Sequence, residues 1–325
     1  MNKNLTFYSE YFNEKTKNKL PLAAIIGPTA AGKTRLSLEV AKKVNGEIIS
    51  ADSMQIYKDM DIGTDKVGKN IRKKIPHHML DIVTPEDDFS VADYQKRVDK
   101  LINKIHNRNH FPLLVGGTGL YVKAVIQGFL LPDMEKNHKL RNRLQEKAEK
   151  FGNKYIHNIL AEFDPVLAEK LHPNDTRRVI RGIEIYYQTG RTKTFFKKIQ
   201  KQKPPRYHYL KIGVTREREE LYQRINQRVE EMIDEGLIEE VKEVNQKYNI
   251  SKTALQALGY KEILGYLNNK YDLEEAKRLI KKNTRNFAKR QLSWFRRDND
   301  LHWFNLSHID IEKVIEKSTE LILEL

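Results

Sequence analysis

"IIGPTAAGKT", residues 25 to 34, decides the fold. A short apolar run ends in a glycine, and Gly27-x-x-x-x-Gly32-Lys33-Thr34 fits the phosphate-binding loop, or P-loop, at every defined position. In such a loop successive backbone N–H groups ring an anion. Gly27, Pro28, Thr29, Ala30, Ala31, Gly32, Lys33 and Thr34 are therefore the candidate phosphate-binding residues, with Lys33 neutralising charge and the Thr34 hydroxyl ligating Mg²⁺. The following "TRLSLEVAKKV" is helix-like, so the anion also sits at a helix N-terminus. The loop does not say which molecule carries the phosphates.

Outward from this loop, residues 22 to 125 alternate strand-like and helix-like segments: "LAAIIG", "KTRLSLEVAKKV", "GEIISAD", "VADYQKRVDKLINKIHNRN", "FPLLVGG" and "TGLYVKAVIQG". Apolar strands alternating with helices predict an α/β fold, a P-loop NTPase-like parallel sheet core covered on both faces. Ligands then bind at the carboxyl ends of the strands, where "GPTAAGKT", "DSMQIYKDMDIGT" and "GGTGLY" all fall. From about 130 to 200 the strand signal fades into short helix-like pieces, predicting a helical insertion domain over 129–204. "HYLKIGVT" returns as a core strand, so 20–128 and 205–325 form the core. The long helix that follows places Leu221, Ile225, Val229 and Met232 on one face. The C-terminal region reads as helical, with no further strong strand.

The chain of 325 residues has no cysteine, which excludes disulfides and thiolate catalysis and fits a cytoplasmic protein. Its apolar runs are too short for a membrane span, and the polar N-terminal stretch lacks the apolar core of a signal peptide. The formal net charge of +15 suits a polyanionic partner. Two windows carry the asymmetry. Residues 185–216 and 277–297 each hold nine Lys or Arg and no acid, interleaved with Phe195, Phe196, Tyr207, Tyr209, Phe287, Trp294 and Phe295. Basic residues among aromatics favour RNA.

Asp52 falls where the second strand delivers its last side chain toward the P-loop. A carboxylate there holds Mg²⁺ through water, acts as a general base, or caps the next turn. The strand "FPLLVGG" ends in glycines rather than a metal-binding Asp, and Asp81 reads as mid-strand. The absence of apparatus for activating a hydrolytic water favours group transfer from a diphosphate over ATP hydrolysis. His77 and His78, adjacent on an extended chain, point to opposite sides and suit turn or core hydrogen bonds better than a metal.

In order, "GPTAAGKT", "ISADSMQIYKDMDIGTDK", "LLVGGTGLY", "HPNDTRRVIRGIEIY", "ALGYKE" and "AKRQLSWFRR" closely resemble the bacterial tRNA dimethylallyltransferase (tRNA isopentenylpyrophosphate transferase) family, from residue 25 to about 297. The resemblance implies transfer of a dimethylallyl group from dimethylallyl diphosphate to N6 of adenosine 37, just 3′ of the tRNA anticodon. The P-loop phosphates would then be a leaving diphosphate, with Mg²⁺ as cofactor. Asp52 matches the family's general base. Asp52, Ser53, Met54 and Gln55 match its target-nucleotide segment, and Thr118 and Arg141 match positions that meet RNA or line the reaction channel. The anticodon stem-loop contacts would come from three stretches: Arg177, Arg178 and Arg181; Gly259 and Tyr260 within Leu255 to Tyr260; and Lys289, Arg290, Gln291, Trp294 and Arg296. The target base must be flipped out to reach Asp52.

Two departures stand out. A C-terminal zinc finger found in some relatives cannot form without cysteine, and Ala31 replaces a common Ser, at little consequence because a backbone N–H binds there. Two rival readings remain at this stage. A prenyltransferase of free adenylate needs no long basic surface. An ATP-driven RNA-binding protein or nucleotide kinase predicts phosphate release or phosphoryl transfer. A monomer is expected.

Overall fold

The computed structural model describes residues 19–130 and 134–325; the polar lead-in read at residues 1–18 lies outside them. The chain runs β1 (Pro21–Ile26), α1 (Lys33–Lys43), β2 (Gly46–Ser50), α2 (Lys69–Lys74), β3 (His77–His78), α3 (Val91–His106), β4 (Phe111–Gly116) and α4 (Gly119–Gln127). Five helices follow: α5 (His138–Phe151), α6 (Asn153–Phe163), α7 (Pro165–Lys170), α8 (Thr176–Thr189) and α9 (Lys193–Gln202). The chain then continues through β5 (His208–Thr215), α10 (Arg218–Asp234), α11 (Leu237–Lys247), a 3₁₀ turn (Ala254–Gln256), α12 (Tyr260–Leu267), α13 (Leu273–Phe295), β6 (His302–Asn305) and α14 (Ile311–Leu323).

The six strands pair in parallel in the order β3-β2-β4-β1-β5-β6. This is the expected P-loop-like core. β1 is apolar throughout because both faces are covered: Leu22, Ala24 and Ile26 pack with Val98, Ile102 and Val125 on one side. Ala23 and Ile25 pack with Leu36, Val40, Leu221, Ile225 and Ile315 on the other. A side chain on either face of a central strand thus meets a helix, as a buried parallel sheet requires. Local signals set the helix starts. Ser90 and Asp93 form a reciprocal capping box on α3, while Asn137, Asp164 and Asp272 cap α5, α7 and α13.

Two compact units emerge, one of Met1–Gly128 with Pro205–Leu325 and the other Phe129–Pro204. The helical unit has its own core of Leu144, Ile156, Leu160, Leu167, Val179 and Ile183. In the core unit, the departing and returning passages of chain are joined by the Arg206 N–H donating to the Ile126 carbonyl at 2.8 Å.

Two local readings need correction. β6 is a strand where none was expected, because its four residues are too few and too exposed to carry an alternating pattern. Asp81 is not mid-strand: β3 stops at His78, and Asp81 turns at φ 56° to meet Lys66 and Arg72. The basic stretch Lys193–Gln202, inside the expected helical insertion, is a helix with none of its residues fully buried. Of the α10 face, Leu221, Ile225 and Val229 are buried, and Met232 is only partly so.

Candidate active site

Because β2, β4 and β1 are neighbours and parallel, their carboxyl ends bring three loops together. The P-loop follows β1, the Asp52 turn follows β2, and Gly117 and Thr118 follow β4. Backbone bonds lock the last two to each other. The Ala51 N–H donates to the Val115 carbonyl (2.7 Å), and the Thr118 N–H donates to the Ala51 carbonyl (3.0 Å). The Thr118 hydroxyl then accepts from the Ser53 N–H at 3.1 Å, so Thr118 shapes the turn that presents Asp52.

The P-loop is braced from outside. Gly32 caps α1 at φ 106°, a conformation that costs an L side chain. Arg224 donates through Nε to the Ala30 carbonyl (3.0 Å), and Arg216 donates through Nε to the Ala31 carbonyl (3.3 Å). From α13, the buried Gln291 accepts the Thr29 N–H on Oε1 (2.9 Å) and donates through Nε2 to the Gly117 carbonyl (3.1 Å). A Cβ on Gly117 would lie 2.1 Å from that Nε2, so only glycine lets the amide seat there. Gln291 therefore stitches the P-loop to the β4 loop. Gln291→Ala leaves a buried donor and a buried acceptor unpaired, at a cost of about 1–3 kcal/mol. The expected result is a diphosphate KM raised about tenfold at saturating RNA, with kcat little changed.

Lys33 and Asp52 face each other electrostatically across this site. Burial lowers the Lys33 ammonium to about 8, opposed by the negative charges of Asp52 and Asp65. Its Nζ is satisfied by the Pro28 carbonyl at 2.6 Å. Burial raises the Asp52 carboxyl above its ordinary value, opposed by the Met54 N–H, which donates to Oδ1 at 2.8 Å, and by Lys33. The carboxylate thus closes a tight turn while its proton affinity is raised. The exposed Thr34 hydroxyl stands in the first turn of α1. Among the described residues no three His, Asp or Glu side chains are grouped to hold a metal. A Mg²⁺ ion here would take the Thr34 hydroxyl as a protein oxygen and its remaining oxygens chiefly from water and phosphate.

Residues 55–298 match the family described as IPP transferase, well over half of the chain. The chain belongs to the IPP transferase family. A tRNA dimethylallyltransferase of Halothermothrix orenii is 60% identical over 314 residues, covering 95% of this chain and 96% of the relative. One from Carboxydothermus hydrogenoformans is 49% identical over 296 residues, covering 91% and 95%. The crystal structure of the full-length tRNA isopentenylpyrophosphate transferase from Bacillus halodurans aligns at TM-score 0.70 and 43% identity, covering 94% of this chain and 96% of that one. A eukaryotic dimethylallyltransferase acting on tRNA aligns at TM-score 0.81 and 30% identity, covering 94% and 80%.

In this IPP transferase the residues expected to meet RNA divide into open and enclosed sets. Lys289, Arg290 and Trp294 are exposed on α13 and Arg296 just past its end, and Arg177 and Arg178 are exposed on α8, Arg178 beside Asp175. Tyr260 is fully buried, with its hydroxyl donating to Glu240 at 2.6 Å, and Gly259 is buried beside it. Gln55 is committed internally: Oε1 accepts from the Ser50 hydroxyl (2.7 Å), and Nε2 donates to the Thr64 carbonyl (3.0 Å). In the helical unit, Arg141 makes a two-point ion pair with Glu184, whose side chain is wholly buried and also pairs with Arg181. Arg141 therefore braces α5 against α8, while Arg181 pairs with Glu184 one turn along α8 itself. The acid-free windows are partly neutralised from elsewhere: Lys277 and Lys281 pair with Glu230, and Lys211 pairs with Asp298. His77 Nδ1 lies 2.7 Å from the Ile75 carbonyl and His78 Nε2 2.5 Å from Glu47, in line with turn and core roles. Arg216, Arg224 and Glu240 were missed from sequence. The position of Arg216 just beyond the carboxyl end of β5 was an available signal for the first.

Proposed function

We propose that this IPP transferase moves a dimethylallyl group from dimethylallyl diphosphate to N6 of adenosine 37 in the tRNA anticodon stem-loop. The observation that carries this reading is a half-buried Asp52, its proton affinity raised by desolvation, electrostatically coupled to the half-buried Lys33 of the P-loop. The relatives named tRNA dimethylallyltransferase support it. The allylic C1–O bond breaks as the N6–C1 bond forms, the N6 proton goes to Asp52, and diphosphate leaves. The lone pair of N6 is delocalised into the ring, so a base that removes the proton as the new bond forms is what the chemistry needs. Lys33 shifts from the Pro28 carbonyl to the departing phosphate oxygens, joined by the loop N–H groups at the start of α1. Mg²⁺, when bound beside Thr34, supplies further neutralisation of developing charge. The protein acts as a monomer in the cytoplasm. Among the described residues no helix is long and apolar enough to cross a membrane.

The test uses labelled dimethylallyl diphosphate with Mg²⁺ and an anticodon stem-loop, with AMP replacing the RNA or ATP replacing the donor in parallel. Label in the stem-loop, lost when the target adenosine becomes guanosine, is expected. Label in AMP alone, or phosphate release from ATP without transfer, would overturn the reading.

The pH profile follows from the two shifts. Asp52 must be ionised, so kcat/KM for the diphosphate rises with pH through a value above the ordinary carboxylate range near 4. Lys33 must be protonated, so the same parameter falls through about 8. A profile flat from about pH 6 to about pH 9.5 would contradict the Lys33 assignment.

A further inference from the structure

The loop that leaves the Asp52 turn is held at its far end by a carboxylate from a distant helix. Glu240, on α11, accepts from three consecutive backbone N–H groups: Asp61 (2.7 Å) and Ile62 (2.6 Å) on Oε2, and Gly63 (3.0 Å) on Oε1. Oε1 also accepts a hydrogen bond from the hydroxyl of the buried Tyr260 at 2.6 Å. Three successive N–H groups make an anion-binding concavity, and here the protein fills it with its own side chain. The Tyr260 ring packs so closely that a Cβ on Gly63 would lie 2.6 Å from it.

Two further ties run from this anchored segment back toward Asp52. Gln55 Nε2 donates to the carbonyls of Thr64 (3.0 Å) and Asp65 (3.2 Å), while its Oε1 accepts from Ser50 at the end of β2. Lys66, its side chain fully buried, joins the Tyr57 carbonyl (2.6 Å), Asp61 (2.7 Å) and Asp81 (2.6 Å). Residues 53–66 are therefore a closed loop. Its near end holds the Asp52 turn, and its far end hangs on Glu240.

We infer that Glu240 is a positioning residue for transfer to RNA, acting through this loop without touching either substrate. The inference rests on the proposed function. It also explains why Tyr260 is enclosed: its hydroxyl completes the carboxylate's set of donors rather than meeting RNA. Glutamine in place of Glu240 loses one acceptor oxygen and turns an NH₂ toward a backbone N–H or the Tyr260 hydroxyl, so it cannot hold all four donors.

Glu240→Gln and Tyr260→Phe are compared with the parent in two assays on the full chain. In hydrogen exchange, the amides of Asp61, Ile62 and Gly63 are expected to exchange at least about tenfold faster in Glu240→Gln, with those of β1 and β4 unchanged. In steady-state transfer, kcat is expected to fall about tenfold and the RNA KM to rise, while the diphosphate KM stays within about twofold. Tyr260→Phe removes one donor of four and gives a smaller change in the same direction, which keeps the test open if Glu240→Gln folds poorly. Unchanged exchange at 61–63, or faster exchange with unaltered transfer, overturns the inference. Equal losses toward both substrates also overturn it, since they indicate a general structural role. A parent that labels no RNA sinks the proposed function and the catalytic half of this inference, while the exchange measurement still decides whether Glu240 anchors the loop.

Discussion

Asp52→Ala is expected to lower transfer to RNA by about 100-fold or more while leaving diphosphate and RNA binding within a few-fold of the parent. The alanine removes two things at once, the proton acceptor and the Oδ1 that takes the Met54 N–H. Asp52→Asn separates them, because its amide oxygen can still accept from Met54 but its amide cannot take a proton from N6. The two variants should therefore be nearly equal in kcat, with Asn retaining the tighter RNA KM. Diphosphate affinity should hold or improve, since a negative charge near the phosphates has been removed. Single-turnover transfer with saturating RNA is the measurement. Asn turning over within a few-fold of the parent would leave Asp52 a turn-forming residue only.

Lys33→Met is expected to reduce kcat/KM for the diphosphate by about 30- to 300-fold, or about 2–3.5 kcal/mol at 1.4 kcal/mol per tenfold. A charge-assisted hydrogen bond to phosphate, made in a buried loop, supports a loss of this size. The ligand-free protein should behave in the opposite sense. The ammonium is lowered to about 8 because burial penalises its charge, so an apolar side chain of similar length relieves that cost. The melting temperature of Lys33→Met without ligand should hold or rise, and stabilisation by added diphosphate should be lost. Lys33→Arg is not a conservative rescue, since a wider planar guanidinium has to fit where an ammonium meets the Pro28 carbonyl at 2.6 Å. A ligand-induced melting shift equal to the parent's would remove Lys33 from the phosphate site.

What was legible in the sequence is what depends on local pattern. Strand-helix alternation required a parallel sheet. Parallel pairing then forces the loops after β1, β2 and β4 to one end, so the P-loop, Asp52 and Thr118 converge once strand order is known. What stays hidden is the bracing: Gln291 is expected at RNA, and Glu240 is not singled out at all. Gln291 reaches Thr29 across 262 positions, and Glu240 reaches Ile62 across 178. Each is a single side chain bonded to backbone, and no spacing rule records which amide it meets. Exposure was equally illegible. Tyr260 and Trp294 are both aromatics within stretches matched to RNA contacts, yet one is buried and the other is 43% exposed. Arg141 looked available as a cation, but its partner Glu184 lies in the next stretch of the same helical unit and takes both its hydrogen bonds.

The Arg206 to Ile126 bond carries a consequence for modularity. Where the chain leaves the sheet layer and returns to it, the two passages meet within a single hydrogen bond, so the seam is already closed on the core side. The intervening helices behave as a cassette with adjacent ends and their own apolar centre. Such a cassette can lengthen, shorten or be exchanged without re-registering one strand of the catalytic sheet.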